Sequence, residues 1–200
     1  MIKNKNRSKW FGASDTDMIV GNWDTETFKK WWAIKLGYQG NFFHSWEMDC
    51  GNIIEIPIIR FIEKIENRKI AIGRHPFYDL PLRLRVNYDG LRKDEVIEIK
   101  TTQEHWKTVP KKYWEQCQVL MYRKRKIKTG LYAYKMQTED YLSPYFPNIE
   151  EKRLKRYEIE YNENFIKSVY MPRLKYLANC LRKKKYPSET EFKKETENEL

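Results

Sequence analysis

The sequence predicts an α/β fold in which helices flank a mixed β-sheet. Segments with a helical period open the chain, short alternating segments fill its middle, and a helix, two strands and a long helix close it. The chain has 200 residues, 40% of them hydrophobic and 15% aromatic, so it can bury a substantial core. We expect one domain over residues 1–200, with a basic arm at 1–9 and a polar, frayed tail at 187–200.

Three helices are expected in the first third of the chain. Ser14 is a good N-cap for a short helix within residues 10–21. Residues 22–36 carry apolar side chains at helical spacing, and Gly37 ends that helix. Residues 48–65 are apolar on most of their helical surface, so this third helix should be buried.

Glu55 stands in the middle of that apolar helix. A buried carboxylate must be paired with a cation, protonated or bound to a metal. Two interpretations stay open at this point: a metal-site carboxylate, or a side chain that faces a wet groove or pairs with a lysine or arginine. Pro57 should bend the helix or lie near its beginning, so the direction of Glu55 is not fixed by the pattern.

The most informative stretch runs from residue 82 to residue 100. Residues 82–88 and 95–100 alternate apolar and polar side chains, and Asp89-Gly90 interrupts the alternation. This pattern predicts a hairpin of two strands around a short turn.

The second strand of that hairpin carries the chemistry. Residues two apart on a strand share a face, so Glu98 and Lys100 point one way while Ile97 and Ile99 point the other. Asp89, at the end of the neighbouring strand, would add a second carboxylate. Mg²⁺ prefers one or two carboxylates with waters and phosphate oxygens, and a nearby lysine can orient or deprotonate an attacking water. The pattern indicates phosphodiester hydrolysis, although a hairpin with a solvated charged face fits the same motif.

The rest of the chain supplies further elements. A short strand at 69–73 is followed by a loop around His75-Pro76. After the acidic stretch we expect a helix at 111–126 with Pro110 at its first position, and then strands at 131–136 and 154–161. A last helix is expected at 162–185, interrupted at Pro172. Its inward side chains would be Phe165, Val169, Leu174, Leu177 and Leu181.

The charge of the chain favours a polyanion as partner. The formal net charge is +11, and nucleic acid is the usual polyanion, with solubility or an anionic membrane surface as alternatives. No apolar run approaches a membrane span, and the first residues lack the apolar segment of a signal peptide. Cys50, Cys117 and Cys180 are scattered and form no CxxC pair, which suggests neither a disulfide framework nor a zinc site. We expect a cytoplasmic protein.

Five short motifs occur in order along the chain. They are Gly12-Ala13-Ser14-Asp15, Gly51 with Glu55, Asp89-Gly90-Leu91, Glu98-Ile99-Lys100, and Tyr113-Trp114-x-Gln116-Cys117-Gln118 with Met121-Tyr122. In this order and spacing, the chain resembles the YqaJ-type, lambda-exonuclease-like phage recombination nucleases of the PD-(D/E)xK superfamily. The resemblance implies a restriction-endonuclease-like core with a mixed central sheet.

The resemblance also implies roles for the metal-site residues. Asp89 and Glu98, with the Ile99 carbonyl, would bind divalent metal, which would be Mg²⁺ with Mn²⁺ as a substitute. Glu55 would complete or flank this site, and Lys100 would assist the water nucleophile. Two departures concern the backbone near these ligands: Tyr88 stands where the family often has proline, and Ile56 separates Glu55 from Pro57.

Further residues are expected to contact DNA or to support catalysis. Gln116, Gln118 and Tyr122 match the glutamine–tyrosine helix beside the family's site, with Gln118 counted among the catalytic residues. Ser14, together with Arg7, would hold the 5′-phosphate of a DNA end.

The activity implied is that of a Mg²⁺-dependent exonuclease. It would degrade one strand of double-stranded DNA from a 5′ end and leave a 3′ single strand for an annealing protein, and by analogy it would form a ring-shaped homo-oligomer. One alternative is an endonuclease of the same fold, including a RecB-like relative, although the chain lacks the four-cysteine set of the iron–sulfur subtype. Another is a catalytically inactive DNA-binding phage protein.

Overall fold

The computed structural model describes residues 8–39, 45–73 and 75–197, which divide into two compact units. The first unit contains the described residues within 42–75 and 88–161. The second contains those within 3–41, 76–87 and 162–200. The expectation of a single domain over the whole chain stays a prediction.

The described residues form strands and helices in groups: helices dominate the first third, short strands the middle, and helices the end. The strands are β1 (Phe11–Gly12), β2 (Ala71–Ile72), β3 (Phe77–Asp79), β4 (Leu84–Val86), β5 (Gly90–Leu91), β6 (Glu95–Thr102), β7 (Lys128–Lys135) and β8 (Leu154–Glu160). The α-helices are α1 (Thr16–Val20), α2 (Glu26–Leu36), α3 (Trp46–Glu66), α4 (Lys111–Lys124), α5 (Thr138–Leu142), α6 (Met171–Arg182) and α7 (Glu189–Glu197). Short 3₁₀ turns at Ala13–Asp15 and Glu151–Arg153 and a π-helix at Phe165–Tyr170 complete the described elements. Within these residues, no helix is both long enough and apolar enough to cross a membrane.

The first unit is built on a five-stranded mixed sheet. Its order is β2-β5-β6-β7-β8, in which β6 and β7 run parallel and the other neighbours run antiparallel. The parallel pair requires a crossover, and α4 provides it. The mixed sheet with packed helices confirms the predicted fold class.

Strand β6 has one apolar face and one charged face, as predicted. Ile97 and Ile99 pack into a core with residues of β7 and with the buried stripe of α3. That stripe consists of Cys50, Ile54, Ile58, Ile59 and Ile62. On the opposite face, Glu98 accepts a hydrogen bond from Lys100 and another from Gln116 of α4. Helices α3 and α4 therefore lie against opposite faces of β6.

Helix α3 continues through Pro57 rather than beginning near it. Ser45 caps its first turn by accepting a hydrogen bond from the Met48 amide at 3.3 Å. Near this end, α3 approaches β6 closely: a Cβ added to Gly51 would lie 2.8 Å from Thr101 Oγ1. Glycine thus lets α3 pack tightly one turn before Glu55.

The predicted hairpin is wrong in its first strand. β4 is buried along its length and pairs with β1 and β3 in a three-stranded sheet of the second unit. The antiparallel partner of β6 is the short β5, which begins at Gly90, the residue expected to form the turn. A Cβ at Gly90 would lie 2.3 Å from Ile70 Cγ2, so this glycine serves close packing rather than a chain reversal.

Helix α2 of the second unit follows the sequence prediction closely. Thr25 caps it by accepting a hydrogen bond from the Phe28 amide at 3.2 Å, and Gly37 ends it with φ of 80°. The predicted cap of the preceding helix is different. Ser14 is exposed within the 3₁₀ turn, and the carboxylate of Asp15 instead accepts a hydrogen bond from the Gly12 amide at 2.7 Å.

The start of α4 and the buried face of the segment before α6 also differ from the prediction. Pro110 is the residue before α4 rather than its first residue. In the π-helix that precedes α6, Ile166 and Tyr170 are buried whereas Val169 is exposed. The wider turn of a π-helix moves the buried face away from the positions that a continuous α-helix would place inward.

The expected frayed tail instead contains a helix within the described residues. Helix α7 carries Phe192, whose ring lies 5.4 Å from that of Trp23 and 5.5 Å from that of Tyr176. Its first residue, Glu189, pairs with Arg173 at 2.5 Å. An apolar ring and a partly buried ion pair attach this polar segment to the second unit.

We predict that Gly73→Ala destabilises the protein by roughly 1–3 kcal/mol, the usual cost of overpacking. An added Cβ would lie 2.0 Å from the Tyr88 carbonyl oxygen, and the backbone before Asp89 would have to move. Urea unfolding followed by circular dichroism measures the change. Gly12→Ala is the control, because its added Cβ would meet no neighbour closer than 3.5 Å. Equal unfolding midpoints for the two variants would contradict the prediction.

Candidate active site

Four predicted residues come together in the first unit. Glu98 and Lys100 project from β6, Asp89 directly precedes β5, and Glu55 lies on α3. Their charges act on one another: those of Glu98 and Lys100 shift the pKa of both Glu55 and Asp89. The structure therefore joins the acidic residue of the apolar helix to the motif on the strands.

Glu98 is the centre of this group and is 3% exposed. Its Oε1 accepts a hydrogen bond from Lys100 Nζ at 2.6 Å and another from Gln116 Nε2 at 2.6 Å. The first contact follows from strand geometry, since residues two apart share a face. The second brings the predicted glutamine of α4 into the site.

Asp89 is fixed by the edge of β6. Its Oδ2 accepts a hydrogen bond from the Ile99 amide at 2.7 Å, at a point where β5 has not yet begun to pair. The Asp89 carbonyl in turn accepts from the Gly73 amide at 3.1 Å. The Asp89 carboxylate thus accepts the hydrogen bond that the backbone of a neighbouring strand would otherwise accept. It lies near enough to Glu98 for the charge of Glu98 to act on it.

Burial and repulsion raise the pKa of two of these carboxyl groups. Burial, followed by the charge of Glu98, raises the pKa of Glu55 to about 7. Burial, together with the charges of Glu98 and Glu55, raises the pKa of Asp89 well above its ordinary value, although the Ile99 amide and Lys100 oppose the rise. Both carboxyl groups therefore favour the protonated, neutral form more than ordinary carboxyl groups do.

Lys100 is a firmly protonated cation in this environment. Burial acts to lower the pKa of Lys100, but the charges of Glu98 and Asp89 and the hydrogen bond to Glu98 outweigh it, so its pKa is raised. A raised pKa suits a group that orients a water or offsets developing negative charge, and it does not suit a base.

The donor set fits a hard divalent cation. Carboxylate oxygens are the ligands that Mg²⁺ takes from proteins, and one or two suffice when waters and phosphate oxygens complete the shell. Among the described residues, no three side chains of histidine, cysteine, aspartate or glutamate lie close enough together to enclose a metal ion. A site formed by Asp89 and Glu98, with Glu55 beside them, would therefore rely on such additional oxygens.

Other residues predicted for the site have different surroundings. Gln118 is fully buried and donates from Nε2 to the Glu160 carbonyl at 2.9 Å, which ties α4 to the end of β8. The side chain of Ile99 belongs to the apolar core. Tyr122 is half-buried, with the Arg123 guanidinium 5.7 Å from its ring. The catalytic, metal-binding and DNA-binding roles of these residues stay predictions.

The residues predicted to hold a 5′-phosphate lie elsewhere in the chain. Ser14 is an exposed residue of the second unit, whereas Arg7 lies outside the described residues. The neighbouring Asp15 accepts hydrogen bonds from Lys35 at 2.6 Å and Trp31 at 3.1 Å. These contacts pair the Asp15 carboxylate with a buried lysine.

Sequence reasoning named three further neighbours of the site without assigning them a role there. The buried thiol of Cys117 lies near enough to the acidic group that Glu98 helps burial to raise its pKa. The Tyr113 ring lies beneath the ammonium of Lys100, with 5.4 Å between Nζ and the ring centroid. Tyr88, directly before Asp89, has the Lys124 ammonium 4.0 Å from its ring centroid. Tyr113 and Cys117 belong to the same motif as Gln116, and this proximity in sequence was the signal that could have indicated their place at the site.

No protein-family model and no curated protein sequence matches the chain. Solved structures do resemble it. An alkaline exonuclease (LHK-Exo) from Laribacter hongkongensis is 16% identical with a TM-score of 0.60, over 89% of this chain and 94% of that one. LHK-Exo in complex with dAMP gives 16% identity and a TM-score of 0.65, over 88% and 89% of the two chains.

A phage-related exonuclease from Haemophilus somnus 129PT is similar to the same extent. It is 13% identical with a TM-score of 0.64, over 88% of this chain and 96% of that one. At such identities, structural likeness establishes the fold and leaves the activity to be argued from the site. The chain thus has the fold of these alkaline and phage-related exonucleases, and the expected resemblance to lambda-exonuclease-like nucleases is confirmed at the level of the fold.

Proposed function

We propose that this protein is a Mg²⁺-dependent deoxyribonuclease that acts as an exonuclease on the ends of double-stranded DNA. One observation carries the proposal: Glu98 and Lys100 share the charged face of β6, and Asp89 and Glu55 lie near enough for the charges of that pair to act on them. Mutually repelling carboxylates with one fixed ammonium suit a divalent cation and a phosphate group. The net charge of +11 favours a nucleic acid as the source of that phosphate.

Each residue of the site has a distinct task in this proposal. Asp89 and Glu98 would hold the metal ion, with Glu55 at its side and the Ile99 carbonyl as a further ligand. Lys100 would orient the attacking water and offset charge on the phosphate oxygens, since its raised pKa keeps it cationic. Gln116 of α4 keeps the Glu98 carboxylate in place by donating a hydrogen bond to it.

The metal would supply Lewis-acid stabilisation of the phosphate and a more acidic water. Mn²⁺, with similar oxygen ligands, would serve as a substitute. A bound cation would also oppose the burial and repulsion that raise the pKa of Glu55 and Asp89, so it would favour the ionised form of both carboxyl groups.

The exonuclease mode rests on the similar solved structures. LHK-Exo is named an alkaline exonuclease and has been solved with dAMP, and the Haemophilus protein is named a phage-related exonuclease. By this likeness, we propose 5′-to-3′ degradation that leaves a 3′ single strand for an annealing protein, with a homo-oligomeric ring as the working form. Gln118, Tyr122, Ser14 and Arg7 retain their predicted DNA-contact or catalytic roles within the proposal.

The deciding experiment uses a linear duplex labelled at one 5′ end, with and without a 5′-phosphate, and a closed circle. In Mg²⁺ we expect progressive shortening from 5′-phosphorylated ends, an intact circle, and no cutting in EDTA. Cutting of the circle would instead indicate an endonuclease of this fold. Binding without any cutting in Mg²⁺ or Mn²⁺ would indicate an inactive DNA-binding protein.

We predict that Glu98→Gln lowers the rate of hydrolysis by roughly 10²-fold or more, because it removes the central charge for the cation. DNA binding should persist or strengthen, since one negative charge beside the phosphate is lost. Gel-based cleavage and fluorescence anisotropy measure the two effects. Glu139→Gln, at an exposed carboxylate of α5 in the same unit, is the matched control. If Glu98→Gln cleaved DNA at the full rate, the proposed metal site would be wrong.

We predict that Lys100→Ala also lowers hydrolysis by roughly 10²–10³-fold, the loss seen when a group that stabilises developing charge is removed. Lys100→Arg should retain more activity than Lys100→Ala, because the cation rather than a proton acceptor is required. The exposed Lys152, which pairs with Glu150 at 3.4 Å, supplies the control variant Lys152→Ala. An inactive Lys100→Arg that still folds and binds DNA would argue against a purely cationic role.

A further inference from the structure

Three aromatic rings lie side by side in the first unit. The Trp106 ring lies 5.0 Å from that of Tyr113 and 5.7 Å from that of Tyr157, both tilted by 34°. Trp106 belongs to the loop between β6 and α4, Tyr113 to the first turn of α4, and Tyr157 to β8. All three rings are partly exposed.

The loop that carries Trp106 is held firmly in place. The Trp106 carbonyl accepts hydrogen bonds from the Tyr157 hydroxyl at 2.6 Å and from Lys155 Nζ at 3.2 Å. One residue earlier, the His105 ring shares a hydrogen bond of 2.9 Å with the Arg153 carbonyl. The rings therefore present a fixed surface rather than a loop that must be ordered on binding.

Exposed lysines alternate with these rings. The ammonium of Lys112 lies 4.9 Å from the Tyr113 centroid, and that of Lys155 lies 5.0 Å from the Tyr157 centroid. Lys107, next to Trp106, is also exposed. We name these three rings and three lysines the Trp106 surface. Because the lysine stems are flexible, an ammonium can leave a ring for a phosphate while a base takes the ring face.

The Trp106 surface is continuous with the candidate active site. Lys100 Nζ lies 5.4 Å from the Tyr113 centroid and 2.6 Å from Glu98 Oε1. One tyrosine thus contacts both the cation of the site and the aromatic surface. A nucleotide that stacks here would lie next to the phosphate held at Lys100.

We propose that the Trp106 surface binds single-stranded DNA, namely the unpaired nucleotides adjoining the scissile phosphate. Aromatic faces interleaved with cations are the means by which proteins hold single strands, with bases stacked on the rings and phosphates on the lysines. Inside a duplex the base faces are covered by neighbouring base pairs, so this surface favours unpaired nucleotides. The proposal rests on the proposed nuclease function, since it names a substrate subsite of the same centre.

The test measures binding in EDTA, so that the proposed hydrolysis does not interfere. A fluorescein-labelled oligo(dT) strand and a duplex of equal length are titrated with the full chain at several salt concentrations. The variants are Tyr113→Leu, which removes a ring, Tyr113→Phe, which keeps it, and Lys112→Ala, which removes a charge. Tyr145→Leu and Lys152→Ala are the controls, because both residues are exposed in the same unit.

We expect Tyr113→Leu to weaken oligo(dT) binding roughly tenfold, with the salt dependence unchanged, whereas Tyr113→Phe binds normally. Lys112→Ala should reduce the slope of log K against log salt by about 0.7, the value for one phosphate contact on a single strand. The controls should match the unaltered protein.

Three results would overturn the proposal. They are unchanged oligo(dT) binding by a folded Tyr113→Leu, an equal loss of duplex and single-strand binding, and an unchanged salt slope for Lys112→Ala. If Tyr113→Leu fails to melt cooperatively, the salt slope of the exposed Lys112→Ala variant decides. If the unaltered protein cuts no DNA, the nuclease proposal fails while this binding comparison still stands. If cleavage requires Glu98 but all variants bind alike, only the Trp106 surface is wrong.

Discussion

The candidate site depends on carboxylates that are held close together against their mutual repulsion. Burial first, and that repulsion second, raise the pKa of Glu55 to about 7 and the pKa of Asp89 well above its ordinary value. Packing supplies the opposing force: α3 buries its isoleucine stripe against Ile97 and Ile99, and the Ile99 amide fixes Asp89. The same strand therefore carries the apolar contacts on one face and the charged group on the other. Fold stability and site geometry are linked through β6.

Lys100 belongs to the candidate active site and also borders the Trp106 surface. It offsets part of the negative charge of Glu98 and at the same time approaches the Tyr113 ring. A fixed cation beside acidic ligands suits phosphate chemistry, and a cation beside an aromatic ring suits a nucleotide. The Trp106 surface adds further rings and cations next to the acidic group. Both features lie within the first unit, which is defined by its own mixed sheet.

Local patterns predicted much of this architecture, and they failed where a contact distant in sequence decided. Gly37 and the helical spacing of 22–36 predicted α2, because end signals and periodicity are local properties. By contrast, the alternation of 82–88 could not reveal that β4 joins a different sheet, since pairing partners are chosen by the whole fold. The sequence also does not distinguish a glycine that is needed because no Cβ fits from a glycine that forms a turn, as Gly90 shows.

The sequence by itself determined that Glu98 and Lys100 share a face opposite Ile97 and Ile99, because the strand period of two requires it. It also determined the strong positive charge and the apolar character of α3. Only the tertiary structure decided that Glu55 lies near enough to Glu98 for its charge to act, and that Gln116 bonds to Glu98 whereas Gln118 bonds to the end of β8. The reason is physical: the direction of a side chain on a helix follows from local geometry, but the neighbour that it meets depends on how the helices pack on the sheet.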